Sequence, residues 1–552
     1  MKKKLLMMRT KSLGGILLAF LMVLGLTACG QPSEGAAVDT AEVAAEEETD
    51  AVEGSVSAAD ESITVSVMGM RHPIQGEWST LEFFRYMEEK TGISLEFDTP
   101  AADVFEEKKA LAIASESYPD VFFGALLNTS QQIQWGMDEK MLIPLNDLIE
   151  EYAPNVSAMF DAIPGLKASV TAPDGNIYAL PQVNEAPIAY MASGYYNGAW
   201  LEALSVTRED LPTTLDGFYD LLVRFRDEDP NGNGKVDEIP LMLMGNALTG
   251  GDIPEYYILP TFDINSTRHY VDDDVVKYGA QQENYKEYLK FMRKLYDEKL
   301  LDNSFATSDS TISTAAAKAN TVGLIMTAGP QNAYDVDTEG AATYYNLGAL
   351  SSDYTNGEQR YAYPGSPFTQ GTFAITDKCQ NPEAMMSWVD YLYSEEGSIY
   401  VHYGPEGELW SFTESGLRSY NDVGMPAEEY RGGKITPDCG TPCPKWVRAE
   451  TEGSWEDAFQ PIRIENVDLY QVPYAKQAFP STYFSVEQTD RITELSTDIN
   501  KYINEMVAGF VVGTYDVDAK WDEFQATLTQ MGVEELVEIY QESYDNWLAA
   551  NK

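Results

Sequence analysis

The chain has 552 residues, more than one hydrophobic core usually organises, since cores tend to split beyond about 250–300 residues. Its 88 acidic side chains against 37 basic ones leave a formal net charge of −51, which argues against nucleic acid or an anionic membrane surface as partner and predicts solubility. An acidic ligand stays open, because a local basic pocket can overrule a distant acidic surface.

The N-terminus is basic, with Lys2, Lys3, Lys4, Arg9 and Lys11, and runs into an apolar stretch from about Leu13 to Leu26. That stretch falls short of the roughly 20 residues of a membrane span and suits the core of a signal peptide. It ends in Leu26-Thr27-Ala28-Cys29-Gly30, which resembles the lipobox of bacterial lipoproteins. The resemblance implies a signal peptide over residues 1–28, cut before Cys29, and acylation of Cys29. An ordinary signal peptide holding a chance cysteine is the competing reading. From Gly30 to Glu61 there is no Lys, Arg or aromatic residue, while acids recur throughout. Such self-repelling sequence with little to bury predicts a disordered tether over 29–61 that holds the folded body off the membrane.

The body opens with Ile63–Met68, whose alternation reads as a strand. Ser79 and Glu82 form a capping-box pattern ahead of a helix with Leu81, Phe84 and Met87 on one face, closed by Gly92. A strand around 93–97, a helix over about 105–115 and a strand at Val121-Phe122-Phe123 follow. This alternation predicts a mainly parallel α/β lobe. Further stripes fall at Leu215, Phe218, Leu222 and Phe225, and at Met385, Trp388, Val389 and Leu392 behind an Asn381-Pro382 helix start. Two more lie at Ile492, Leu495, Ile499, Tyr502 and Met506, and at Trp521, Phe524, Leu528 and Met531. Stripes at helical spacing read as core rather than as cofactor boxes.

The sharpest local motif runs from Asp229 to Pro240. Oxygen side chains alternate along it and a glycine stands sixth, the pattern by which an EF-hand-like loop curls around Ca²⁺. Asp229, Asn231, Asn233, the Lys235 carbonyl, Asp237 and Glu238 are the candidate ligands of a structural calcium ion. The twelfth position holds Pro240 where an EF-hand places a bidentate Glu, so Glu238 must substitute; a metal-free Asx-rich turn is the alternative. Besides Cys29, the cysteines are Cys379, Cys439 and Cys443. A Cys439–Cys443 disulfide and free or otherwise paired thiols both remain open. His72, His269 and His402 lie too far apart in sequence to suggest zinc.

The order of several motifs behind the lipobox resembles the extracellular solute-binding proteins of carbohydrate ABC importers, in particular the LplA-type lipoproteins and alginate-oligosaccharide binders. The carriers are Glu89-Lys90-Thr91-Gly92, Tyr118-Pro119-Asp120-Val121, Asp174-Gly175-Asn176-Ile177-Tyr178-Ala179-Leu180-Pro181 and Tyr195-Tyr196-Asn197-Gly198-Ala199-Trp200-Leu201. The Asp229–Pro240 run, Asn381-Pro382-Glu383-Ala384 and Tyr403-Gly404-Pro405-Glu406-Gly407 continue the series. In the alginate binders the corresponding loop also has its glutamate at the place of Glu238. The resemblance implies an α/β, two-lobed periplasmic-binding-protein-like fold with the ligand cleft between the lobes. One lobe is expected over 62–185 plus 320–368, the other over 186–319 plus 369–552. It further implies a carbohydrate ligand, ABC permease subunits as partners, a monomer, and a lipid anchor on the extracellular face of the cytoplasmic membrane.

Sugar recognition calls for aromatic faces flanked by polar side chains. Trp78, in a polar loop after the first strand, and Tyr196, at a position the resemblance makes cleft-facing, are candidates with Tyr256 and Trp410. Glu185 near the first crossing and Gln331 after Gly329-Pro330 supply candidate polar contacts, whereas Trp200 at a helix start reads as core. No Gly-x-Ser-x-Gly elbow, phosphate-cradling loop or His-Glu-x-x-His motif points to catalysis. A secreted carbohydrate-active enzyme, which would need paired carboxylates in the cleft, and a surface sensor or adhesin on the same fold are the alternative readings.

Overall fold

The computed structural model describes residues 63–185, 193–244, 248–337, 340–363, 368–452, 455, 467–477 and 479–550. The expectations for the signal peptide, Cys29 and the tether lie outside the described residues.

The first strand, β1 (Ile63–Met68), buries Val65 and Val67 beneath the helix Glu82–Thr91. Leu81 rather than Ser79 stands at the start of that helix, and no side chain caps it, so the expected capping box does not form. The short turn Trp78–Thr80 takes up Ser79, and burial of Leu81 and Trp78 fixes the entry instead. Gly92 closes the helix at φ +71°, a left-handed conformation that a side chain would strain. Next come β2 (Ile93–Asp98), the helix Phe105–Ala114 and β3 (Val121–Phe123), with β2 and β3 both parallel to β1. The parallel α/β beginning is as expected.

Beyond it, β4 (Leu180–Asn184) stays in the first sheet, whereas β5 (Ser193–Tyr196), β6 (Ile239–Met242) and β7 (Val322–Thr327) build a second. The chain then returns: β8 (Phe368–Ile375) inserts antiparallel between β3 and β4, and β9 (Lys445–Val447) adds parallel to β4. The first sheet is therefore ordered β9-β4-β8-β3-β1-β2, and the second β5-β7-β6.

This pairing corrects the expected partition. Residues 320–363 belong largely with the second sheet, because all six residues of β7 are buried between β5 and β6. Residues 369–452 belong with the first, where Trp388, Val389 and Val401 share a core with Val65, Phe83 and Met87. From Val467 onward the described residues pack mainly with the second core. Alternation and apolar runs show that a segment is a buried strand, but not which of two sheets it completes.

The helical stripes fall where expected. Leu215, Phe218, Leu222 and Phe225 are buried with Trp200 in the second core, and Leu495, Ile499, Phe524 and Leu528 join them. Burying side chains of this size stabilises by about 1.5–3 kcal/mol each relative to exposure. Asn381 precedes Pro382 at its helix start but makes no side-chain cap.

Candidate ligand-binding site

Strands β1, β2, β3, β4 and β9 run the same way and β8 runs against them. One rim of the first sheet thus collects their C-terminal ends and the start of β8. In open α/β sheets that is the rim where ligands bind. Glu185 follows β4 at this rim and Phe368 opens β8 there, while Ser193 opens β5 of the second sheet. On the second sheet β5 starts, and β6 and β7 end, at the matching rim.

At the first rim β4 and β9 pair Val183 with Trp446, and Glu185 N donates to Val447 O at 3.0 Å. The register brings Glu185, Trp446 and Arg448 together. Trp446 Nε1 donates to Glu185 Oε1 at 2.7 Å, and Ala449 N donates to its Oε2 at 3.2 Å. The Arg448 guanidinium lies 3.8 Å from the centroid of the Trp446 ring. Its Nη2 donates to Tyr393 O at 3.3 Å, while Nη1 is buried without a hydrogen-bond partner. An unsatisfied buried donor costs about 1–3 kcal/mol, more when charged, so an incoming acceptor would gain that much. Behind the rim, Lys445 pairs with buried Asp438, which also meets His402 Nδ1 at 2.6 Å. Burial and the neighbouring Lys445 pull the His402 imidazole down to about 4, so it stays neutral.

At the second rim Gln331 follows β7, half-buried, with Oε1 buried and unpartnered. A Cβ on Gly329 would stand 2.8 Å from that oxygen, so the glycine makes room for the amide beside the strand end. After β6, fully buried Asp252 accepts from Met244 N at 2.7 Å and Ile253 N at 2.6 Å. Burial pushes its carboxyl up to about 7 against the two backbone hydrogen bonds, with no cation beside it among the described residues. At the start of β5, Gln471 Nε2 donates to Tyr257 Oη at 2.7 Å and to Ser193 Oγ at 3.3 Å.

Of the residues singled out in the sequence, Glu185 and Gln331 stand at these rims. Tyr256 lies half-buried in the turn Pro254–Ile258, against the second core. Three aromatic candidates are corrected. Trp78 is 1% exposed, packed against Phe84, Phe97 and Phe123 with its N–H donated to Gln75 Oε1 at 2.9 Å. Tyr196 is wholly buried in β5 against Phe225. Trp410 is 4% exposed, its N–H donated to Gly404 O at 2.9 Å. Each fills a core that local sequence could not display. Trp200 is core, as expected. Trp446 and Arg448 were missed; the signal was Lys445-Trp446-Val447-Arg448, a basic-flanked tryptophan in a strongly acidic chain.

The Asp229–Glu238 loop joins the helix Leu215–Asp227 to β6. Gly232 and Gly234 adopt φ +67° and +70°, which lets the chain curl. Asn231 Nδ2 and Asn233 Nδ2 donate to Asp237 Oδ1 at 3.1 and 3.0 Å, holding its carboxyl below the usual range. Gly234 N donates to Asp229 Oδ2 at 3.1 Å, and Lys235 N to Asn233 Oδ1 at 2.8 Å. Asp229 Oδ1 and Glu238 Oε1 are buried without partners. Burial, with Asp237 and Asp229 nearby, raises the Glu238 carboxyl. Among the described residues no three His, Cys, Asp or Glu side chains converge on one point, so a cation here would draw on asparagine and backbone oxygens too. Of the two readings left open for Cys439 and Cys443, the thiols are free, and so is Cys379. Cys439 Sγ faces Glu428 O at 3.4 Å, whereas Cys443 is buried in the first core.

FusA of Streptococcus pneumoniae, a fructooligosaccharide ABC transporter substrate-binding protein, is 27% identical over 503 residues, 84% of this chain and 86% of its own. Its solved structure in complex with kestose covers 88% of this chain and 99% of its own at TM-score 0.70 and 24% identity. FusA has also been solved as an EF-hand mutant with fructo-nystose, again at TM-score 0.70. A solute-binding protein of Bifidobacterium longum infantis described as HMO-binding covers 88% of this chain and 99% of its own, at TM-score 0.71 and 20% identity. These likenesses show the same periplasmic-binding-protein-like fold. Residues 480–549 match a domain of unknown function (DUF3502). Residues 73–399, more than half of the chain, match the bacterial extracellular solute-binding proteins, and the chain belongs to that family.

Proposed function

We propose that this protein captures an oligosaccharide outside the cell and delivers it to an ABC importer, with no chemistry on the ligand. The observation that carries the reading is the rim cluster of Glu185, Trp446 and Arg448, with a buried guanidinium N–H lacking an acceptor. An aromatic ring, a carboxylate and an unsatisfied donor are the set that meets sugar C–H faces and hydroxyls. The second rim offers Gln331 Oε1, so a ligand touching both rims gains its full contacts only when they close on it. The fructooligosaccharide named for FusA and the HMO named for the Bifidobacterium protein support the ligand class. Calorimetric titration of the purified protein against a panel of oligosaccharides tests the reading. Binding by the folded protein is expected; a folded protein that binds none of them sinks it.

The Asp229–Glu238 loop is read as a structural Ca²⁺ site, with Asp229, Asn231, Asn233, the Lys235 carbonyl, Asp237 and Glu238 as donors. The two orphaned carboxylate oxygens support this, as does the EF-hand named for FusA. A bound cation would neutralise the crowded carboxylates and clamp the loop between its helix and β6. Calcium at about 100 times its Kd stabilises by roughly 2.7 kcal/mol. EGTA should lower the melting temperature of the wild type and leave Asp237→Ala unmoved; an unaffected wild type reduces the motif to a turn. Cys29 is read as the lipid anchor, with residues 1–28 removed and 29–61 as tether. Cys29→Ser should release the protein into the medium, and an intact mass that retains residues 1–28 would refute the processing.

A further inference from the structure

The C-terminal helices pack with the second core, yet two side chains of this region end in the first lobe. The helix Val533–Ala550 holds the hairpin His269–Tyr278, whose Tyr270 and Tyr278 belong to the second core. Tyr540 stacks on His269 at 3.7 Å, Val276 N donates to Gln541 Oε1 at 2.7 Å, and Tyr544 Oη donates to Asp274 Oδ1 at 2.8 Å. Trp547 of the same helix stacks on Tyr544 at 5.7 Å and donates its Nε1 to Ser169 Oγ at 2.8 Å. Ser169 lies beside Val170, which is part of the first core.

Tyr483 enters the first lobe as well. Ser543 Oγ donates to Tyr483 O at 2.8 Å, which ties the tyrosine to the same helix. A capping box of Ser485 and Gln488 opens the helix Val486–Val512 and fixes the chain two residues further on. The Tyr483 ring packs against the cluster of Phe122, Trp135 and Tyr178 on the first sheet. Its hydroxyl donates to Gln132 Oε1 at 2.7 Å and lies 3.0 Å from Val170 O. Gln132 is buried, and its Nε2 donates to Leu127 O at 2.7 Å, so both ends of the amide are engaged.

The two anchor points lead to the ligand rim. Leu127 lies in the loop that leaves β3, and its N donates to Gly371 O of β8 at 3.0 Å. A Cβ on Gly371 would collide with Leu127 O, so the loop sits directly on the strand. Next to it, Gln370 donates Nε2 to Ser169 O at 2.9 Å. Gln132 and Ser169 thus hold the loop after β3 and the opening of β8, and the same two residues receive Tyr483 and Trp547. Parting the lobes here would strand Gln132 Oε1 and bare the Tyr483 ring, and a buried acceptor without its donor is costly. Gln331 Oε1 and Arg448 Nη1, at the two rims, are unpartnered already. The motion of lowest cost is therefore at the rims, with this contact kept shut.

We propose that Tyr483 and Trp547 form a fixed joint between the lobes, about which the rims close on a ligand, and that Tyr483 is a positioning residue for capture. The joint rests on the closure reading above. A contact that holds in both states restricts how the open lobes can move, which lowers the entropy lost when a ligand bridges the rims.

The test compares the wild type with Tyr483→Phe, which keeps the ring and removes the hydroxyl. Hydrogen exchange is followed with and without the tightest-binding member of a panel of fructo-, gluco-, manno- and uronate oligosaccharides. In the wild type the ligand should slow exchange around Glu185 and Gln331 and leave 127–132 and 169–170 unchanged. By calorimetry Tyr483→Phe should bind that ligand about two- to tenfold more weakly. In small-angle scattering the ligand-free variant should be larger than the wild type. A change of exchange over 127–132 on ligand addition, in either direction, would overturn the fixed joint. A lowered melting temperature with unchanged affinity and scattering would also overturn it, since the hydroxyl would then serve packing alone. A wild type that binds no member of the panel would remove the oligosaccharide reading, and the ligand-free scattering would still decide the joint: a larger variant upholds it, and equal dimensions reject it.

Discussion

Two tryptophans at the same rim of the first sheet have opposite surroundings. Trp78 sits in the turn after β1 with three phenylalanines around its ring, and its N–H is satisfied by Gln75 of the same turn. Trp446 stands in β9 with a guanidinium over its face and a carboxylate on its N–H. Both are nearly inaccessible, at 1% and 8% exposure, so burial alone does not separate them. The partners do. Both rings belong to one buried cluster, but Trp446 also carries a guanidinium on its face and a carboxylate on its N–H, charged groups that Trp78 lacks.

The largest effect that would break this contrast is at Trp78. Trp78→Ala should cost about 3–5 kcal/mol of stability and leave affinity unchanged at temperatures where the variant is folded. Weakened binding with an unchanged melt would return Trp78 to the ligand site. Next in size is the unpaired acid of the second rim. The folded-state pKa of Asp252 is raised from 3.8 to about 7, so its contribution is full below the unfolded value and is lost as pH rises through about 7. The wild type should therefore lose stability between about pH 4 and pH 7 more steeply than Asp252→Asn, a difference that melts across that window would reveal.

Arg448→Ala tests the other side of the comparison. Loss of a charged donor to the ligand should weaken binding by about 1.5–3 kcal/mol, roughly ten- to a hundredfold, as read by calorimetry. An affinity that does not change would place Arg448 outside the site. The smallest effect is expected from Trp446→Phe, which keeps a ring but drops the hydrogen bond to Glu185. A change of about 0.5–1.5 kcal/mol in stability or affinity is expected. A far larger loss would mean that Trp446 packs as Trp78 does.

The same contrast explains what could be read in the sequence. Helical stripes such as Phe218-Leu222-Phe225 were legible because burial on a helix repeats every few residues along the chain. Trp78 was misread because its loop is polar in sequence, while Phe97 and Phe123 reach it only through the pairing of β1 with β2 and β3. Arg448 was missed for the reciprocal reason: Glu185, its neighbour in the cluster, lies far away in sequence and arrives only by the β4–β9 register. The partition failed at the return of β8 to the first sheet, a decision set by unfilled hydrogen bonds on two distant strands.

That return also bears on how the chain acquires its structure. Strands β3 and β4 never pair with each other; β8 stands between them, and its residues come after the whole second sheet in sequence. Until Phe368–Ile375 emerges, the facing edges of β3 and β4 carry unpaired backbone groups, the kind of edge that recruits strands from other chains. Closing the gap requires contacts between distant parts of the sequence, which makes folding slow and lengthens that exposure. A protein that reaches its compartment unfolded would meet its greatest aggregation hazard in this interval, when the second sheet can already be complete and the first is still split in two.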